Sequence, residues 1–115
     1  MTIRQNDRLG DEGVDKVGTV TLVSDAGTLN RRAGIVTSEA STLAAGSAVS
    51  YVITNSEVAA GDIVMVSRMG GTSNEGTEIW SAVATANTIT VLVENRHASA
   101  AFDGTFIFAF LVIKA

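Results

Sequence analysis

The heptapeptide Thr88-Ile89-Thr90-Val91-Leu92-Val93-Glu94 sets the reading of this chain. Ile89, Val91 and Val93 recur at a period of two on one side. Thr88, Thr90 and Glu94 occupy the other. A strand sends successive side chains to opposite faces, so this alternation predicts a strand buried on one face and wetted on the other. The same rhythm extends outward. Val49, Tyr51 and Ile53 share a face, and in residues 62–69 Ile63 and Met65 oppose Val64 and Val66. Residues 17–23 oppose Val20 and Leu22 to Val17, Thr19 and Thr21. Residues 32–37, 78–84 and 105–114 supply three further runs. Turn clusters separate them: Asp25-Ala26-Gly27, Ala44-Ala45-Gly46-Ser47, Ala60-Gly61-Asp62, Gly70-Gly71-Thr72-Ser73-Asn74 and Phe102-Asp103-Gly104. Short strands at such regular spacing predict an all-β fold, an antiparallel β-sandwich, jelly-roll-like, of about seven to eight strands. The Ala-rich residues 38–48 have room for one helical turn. Gly46 and the Ser and Thr residues there oppose anything longer.

Composition narrows the chemistry. The 115 residues fit one domain. Without Cys there is no disulfide framework and no thiolate metal site. A single His cannot build a His cage within one chain. The net charge of −4 repels phosphate, so nucleic acid is not an expected partner, and neither is an anionic membrane. The apolar run 106–113 is far short of the ~20 residues of a spanning helix. No apolar stretch of signal-peptide type follows Met1. Charge is uneven: Arg4, Asp7, Arg8, Asp11, Glu12, Asp15 and Lys16 crowd the first residues. Residues 1–16 therefore read as an extended N-terminal arm and residues 17–115 as the sandwich domain.

Candidate catalytic and binding residues are few. His97, in Asn95-Arg96-His97-Ala98-Ser99, has no second His, Cys or paired acid beside it and reads as a loop residue. Asp7, Asp11 and Asp15 recur every four residues, which is not the alternate spacing of an EF-hand loop. The glycine-rich segment 70–76 lacks the Lys-Ser/Thr pair of a phosphate loop. Trp80 and Tyr51 are the candidates for sugar stacking, and core packing competes for both. Arg31-Arg32 is an adjacent basic pair suited to an acidic partner surface. No catalytic, cofactor or metal residue is assigned.

The last run carries the strongest signal. Phe106, Phe108, Phe110 and Val112 face one way, and Ile107, Ala109, Leu111 and Ile113 the other. An antiparallel sandwich strand normally shows one face to water. A strand apolar on both faces calls for a second cover, and Ile107, Leu111 and Ile113 are the expected contacts between protomers of a homo-oligomer. A weaker pattern is an internal echo: residues 52–66 and 91–108 each read strand, Asn, small-residue loop, Gly/Asp turn, strand.

Four segments add a resemblance. They are Ala33-Gly34-Ile35-Val36-Thr37-Ser38-Glu39-Ala40, Thr42-Leu43-Ala44-Ala45-Gly46, Tyr51-Val52-Ile53-Thr54-Asn55-Ser56 and Glu94-Asn95-Arg96-His97-Ala98-Ser99-Ala100-Ala101-Phe102-Asp103-Gly104-Thr105. Together they resemble small all-β virion proteins of tailed bacteriophages, of the capsid decoration, cement or head-fibre type. The resemblance implies a structural role on the outer capsid surface, in the virion, for a protein made in the host cytoplasm. It implies the major capsid protein as partner, a homotrimer, and neither cofactor nor catalysis. Arg4, Arg8, Arg31 and Arg32 are the expected capsid contacts. Two other readings stand beside it: a carbohydrate- or receptor-binding domain of a phage fibre or spike, which requires exposed aromatics or a polar groove and is favoured by a solvent-exposed Trp80, and a hydrolase, needing His97 beside an acid and a nucleophile in one cleft.

Overall fold

The computed structural model describes residues 17–73 and 77–115, and the fold there is all-β. Its strands are β1 (Gly18–Thr21), β2 (Ala26–Thr28), β3 (Ala33–Thr37), β4 (Ser41–Leu43), β5 (Ala48–Thr54), β6 (Ile63–Gly70), β7 (Glu78–Thr85), β8 (Thr88–Asn95), β9 (Phe102–Gly104) and β10 (Ile107–Ile113). One four-stranded sheet has the order β1-β3-β10-β6. A second has the order β2-β5-β8-β7, and β4 pairs with β9. The chain passes back and forth between the two larger sheets, and β7–β8 is the single consecutive pair that neighbours within one of them. The residues expected as an N-terminal arm, 1–16, lie outside the described residues.

Each main strand buries one side of its pleat. β10 contributes Phe108, Phe110 and Val112. β8 contributes Ile89, Val91 and Val93, and β5 contributes Tyr51 and Ile53. These sets join one hydrophobic core with Val36, Leu22, Phe102 and Phe106. Aromatic rings fill its middle: Tyr51 stacks on Phe108 at 5.7 Å, and Trp80 meets Phe106 at 5.4 Å and Phe108 at 5.2 Å. Trp80 donates its indole N–H to Glu78 Oε1 at 2.9 Å, which satisfies its one polar atom. The sandwich expectation holds, and so does the division of β5, β8 and β10 into buried and outward faces.

Three differences have physical causes. Among the described residues the strands number ten, because β2, β4 and β9 are three-residue strands. They fall in segments rich in Gly, Ser and Asp, where no period can show. β4 also replaces the helical turn allowed for in residues 38–48. Finally, the sheets are mixed where antiparallel ones were expected: β1 runs parallel to β3, and β2 parallel to β5. The tight turn at Ser24 and Asp25, with φ of 53° and 62°, reverses the chain between β1 and β2. Left-handed values at both central residues are the mark of a type I′ turn.

Two glycines seal the far end of the molecule. Gly71 and Gly104 have φ of 110° and 117°, and a Cβ on either would collide with the backbone of the other's segment. Thr72 N–H donates to Thr105 Oγ1 at 3.0 Å, and Thr105 N–H donates to Thr72 Oγ1 at 2.9 Å. The turn cluster that begins at Gly70 is therefore laced, as far as Ser73, to the residues just before β10.

Candidate interaction surface

The outward side of the β1-β3-β10-β6 sheet follows from its register. Thr37 stands opposite Ile107, Ile35 opposite Ala109, and Ala33 opposite Leu111. Across the next seam, Ala109 faces Ser67, Leu111 faces Met65 and Ile113 faces Ile63. Thr19 continues the Ile35 row onto β1. Two adjacent rows are wholly apolar: Ala33–Leu111–Met65 and Ile113–Ile63. No described residue on this side of the four strands is charged.

Burial within the protomer does not account for these side chains. Ile63, Met65, Leu111 and Ile113 are 58%, 57%, 47% and 42% exposed. Met69, 59% exposed, sits where the β6–β10 register shifts. Full burial of one such side chain is worth ~1.5–3 kcal/mol, so about 1 kcal/mol at each remains to be gained by a cover. Of the three expected interface residues, Leu111 and Ile113 stand open and Ile107 is half-buried. Ile63 and Met65 belong to the same surface and were missed. Residues 62–69 had already read as apolar on both sides, which was the available signal.

The two ends of this face are fixed differently. At one end Arg68 of β6 turns inward between the sheets. It bonds Glu78 Oε2 at 2.8 Å, Gly70 O at 3.0 Å and Ser73 O at 2.7 Å, with its guanidinium 5.0 Å from the Phe106 ring centroid. This largely covered pair joins β6 to β7, and so one sheet to the other. At the opposite end Lys114 donates to Asp62 Oδ2 at 2.5 Å and to Glu57 O at 2.8 Å. The Lys114 hydrogen bond, with backbone donors from Ala59 and Ala115, lowers the Asp62 carboxyl from 3.8 to about 2. That clip fastens the last residues of the chain beside the start of β6.

The expected capsid contacts divide. Arg4 and Arg8 lie outside the described residues. Arg31 and Arg32 are exposed just before β3, at the end where β1 begins, and Arg32 Nε lies 3.6 Å from Glu57 Oε1. Exposed pairs of this kind contribute little, and both charges remain in reach of a partner.

The remaining candidates occupy supporting positions. His97 Nδ1 accepts from the backbone of Ser99 at 3.0 Å and Ala100 at 2.9 Å, so that nitrogen shapes its own loop. Asn95 is fully buried: it accepts from His97 N and donates to Leu43 O and Ala100 O. Asn55, its counterpart in the sequence echo, accepts from Glu57 N and donates to Arg31 O. Each Asn ties the loop that follows its strand. Tyr51 is buried, and desolvation raises its phenol above the ordinary value against the opposing Ser38 hydrogen bond. Trp80 is half-buried against Phe106 and Phe108. Glycine-rich residues 70–76 are described only to Ser73, and Asp7, Asp11 and Asp15 lie outside the described residues. Among the described residues no cluster of three or more His, Asp or Glu side chains could hold a metal ion.

No protein-family model, curated protein or solved structure matches this chain.

Proposed function

We propose that this chain is a structural virion protein of a tailed bacteriophage, one that binds the outer capsid surface and stabilises it as a decoration or cement protein. The observation that carries the reading is the uncharged, apolar outer face of β1-β3-β10-β6. Such a face suits repeated packing against protein. In a decoration protein each contact can be weak, because many copies engaged on a regular lattice add avidity. The partner is the major capsid protein, the oligomer is a homotrimer, and the site of action is the outside of the virion after synthesis in the host cytoplasm. No catalytic step, cofactor, nucleic acid or membrane enters the role. Arg31 and Arg32, exposed just before β3, are the proposed capsid contacts together with Arg4 and Arg8.

The fibre or spike reading gains no support from Trp80 and Tyr51, since both pack against core aromatics. The hydrolase reading finds His97 engaged with its own loop backbone. Co-sedimentation with capsids stripped of accessory proteins tests the proposal. The full chain is expected to pellet with them and to raise the temperature at which they rupture. A chain lacking residues 1–16 is expected to bind at least tenfold more weakly. A full chain that stays in the supernatant at micromolar concentration contradicts the capsid role.

A further inference from the structure

We infer that copies of this chain pack on one another through the entire outer face of the β1-β3-β10-β6 sheet, with β6 contributing as much as β10 through Ile63 and Met65. This deepens the self-association in the reading above, puts a pair in place of its trimer, since a face that meets the same face on a second copy closes at two, and is independent of the capsid.

Three observations select a second copy as the occupant. First, the face holds no charge among its described residues, so it offers nothing to steer or orient a charged partner. An equally uncharged surface must meet it, and the same face on another copy is one. Second, its two apolar rows lie side by side across β10 and β6, which makes a flat stripe able to interdigitate with its like. Sheets pack face to face in this manner at ~10 Å. The protomer already does so internally with its other side, so a second copy repeats a packing the chain is built for. Third, the size is adequate. Four strands ~4.8 Å apart and about six residues long present a flat footprint of roughly 400 Å². Two such footprints reach roughly 800 Å² before the corrugation of side chains is counted, against the ~1,000 Å² at which specific interfaces begin.

The alternative surface lacks these properties. On the outer side of β2-β5-β8-β7 one row runs Thr28, Thr54, Thr88, Thr85, and Glu94 stands between Ala48 and Ile79. Hydroxyls and a carboxylate there keep water bound.

Met65→Asp and Val83→Asp test the assignment as a matched pair. Both positions are exposed, at 57% and 60%, on outward sides of the two sheets, so neither change disturbs the core. Far-UV circular dichroism checks the fold of each variant, and Leu111→Asp repeats the test from β10. Sedimentation equilibrium of the full chain at micromolar concentration is expected to give a multiple of the protomer mass. Met65→Asp and Leu111→Asp are expected to weaken assembly at least a hundredfold, and Val83→Asp by less than threefold. A wild-type monomer overturns the inference. So does an oligomer that Val83→Asp dissociates and the other two leave intact. Capsid co-sedimentation is read separately. Binding by an oligomer indifferent to Met65→Asp would preserve the capsid reading while removing this one. An oligomer sensitive to Met65→Asp that ignores capsids would do the reverse.

Discussion

Leu111 and Leu92 occupy matching places on the two sheets and meet opposite surroundings. Each lies on the outer side of an inner strand, 47% and 37% exposed. Leu111 has Ala33 on one side and Met65 on the other, whereas Leu92 sits between Ser50 and Ser81. A lone leucine among hydroxyls is ordinary surface. A leucine within two adjacent apolar rows is part of a patch, and patches of this kind mark contacts with other molecules. The inner sides of the two sheets are alike, since both feed one core. The difference between the sheets is therefore outside the fold, and stability of the protomer does not explain it.

Building the first surface on the second is the severest way to break that contrast. Ser50→Val together with Ser81→Ile would convert the Leu92 row into a continuous apolar row like that of Leu111. Self-association is expected to strengthen about tenfold and to yield species larger than the wild-type oligomer, because each copy would then carry two adhesive faces. Sedimentation velocity reads this directly. A mass distribution unchanged from wild type would mean that row composition does not set the contrast.

A smaller effect comes from acid. Asp62 and Lys114 close the end of the first face, beside the Ile113–Ile63 row, more tightly than Glu94 and Arg96, 3.7 Å apart, meet at the end of the second. The Asp62 carboxyl is held at about 2, below its ordinary 3.8, by the Lys114 hydrogen bond first and by backbone donors second. A depressed folded-state value favours the ionised, folded form. This contribution is complete above pH ~4 and is lost as pH falls toward 2. The thermal midpoint of the protomer is expected to fall across that window, and more shallowly in Asp62→Asn. Parallel curves for the two proteins would show that the clip contributes nothing to folding.

The sequence disclosed strands whose period was long enough to count. β5 and β8 run seven and eight residues with alternation enough to show their buried faces, and in β10 the period-two Phe residues stood apart on one side although both sides are apolar. β2, β4 and β9 span three residues each and are built from Ala, Gly, Ser, Thr and Asp apart from Leu43 and Phe102, so β2 and β9 looked like turns and β4 fell in a stretch with room for a helical turn. Half of the candidate surface was legible for the same reason. Leu111 and Ile113 followed from one strand, but Ile63 and Met65 join them only because β6 pairs with β10 across the 36 residues that lie between Gly70 and Ile107, and no local pattern announces that pairing. Arg68 hid its place as well. Nothing beside it in the sequence marks it, and its covered bond to Glu78 depends on β6 and β7 ending in different sheets at one edge. The Asn echo could be seen, while the function of Asn55 and Asn95 as loop ties needed the carbonyls they reach, up to 52 residues away.

Met65 permits the most direct test of the central claim, because its thioether reports cover without any mutation. Dilute peroxide oxidises accessible methionine to the sulfoxide, and mass spectrometry reads each site separately. Met65 is expected to oxidise at least tenfold more slowly in the assembled full chain than after dilution to protomers. Oxidation at the same rapid rate at every concentration would place the face in open water and contradict that claim.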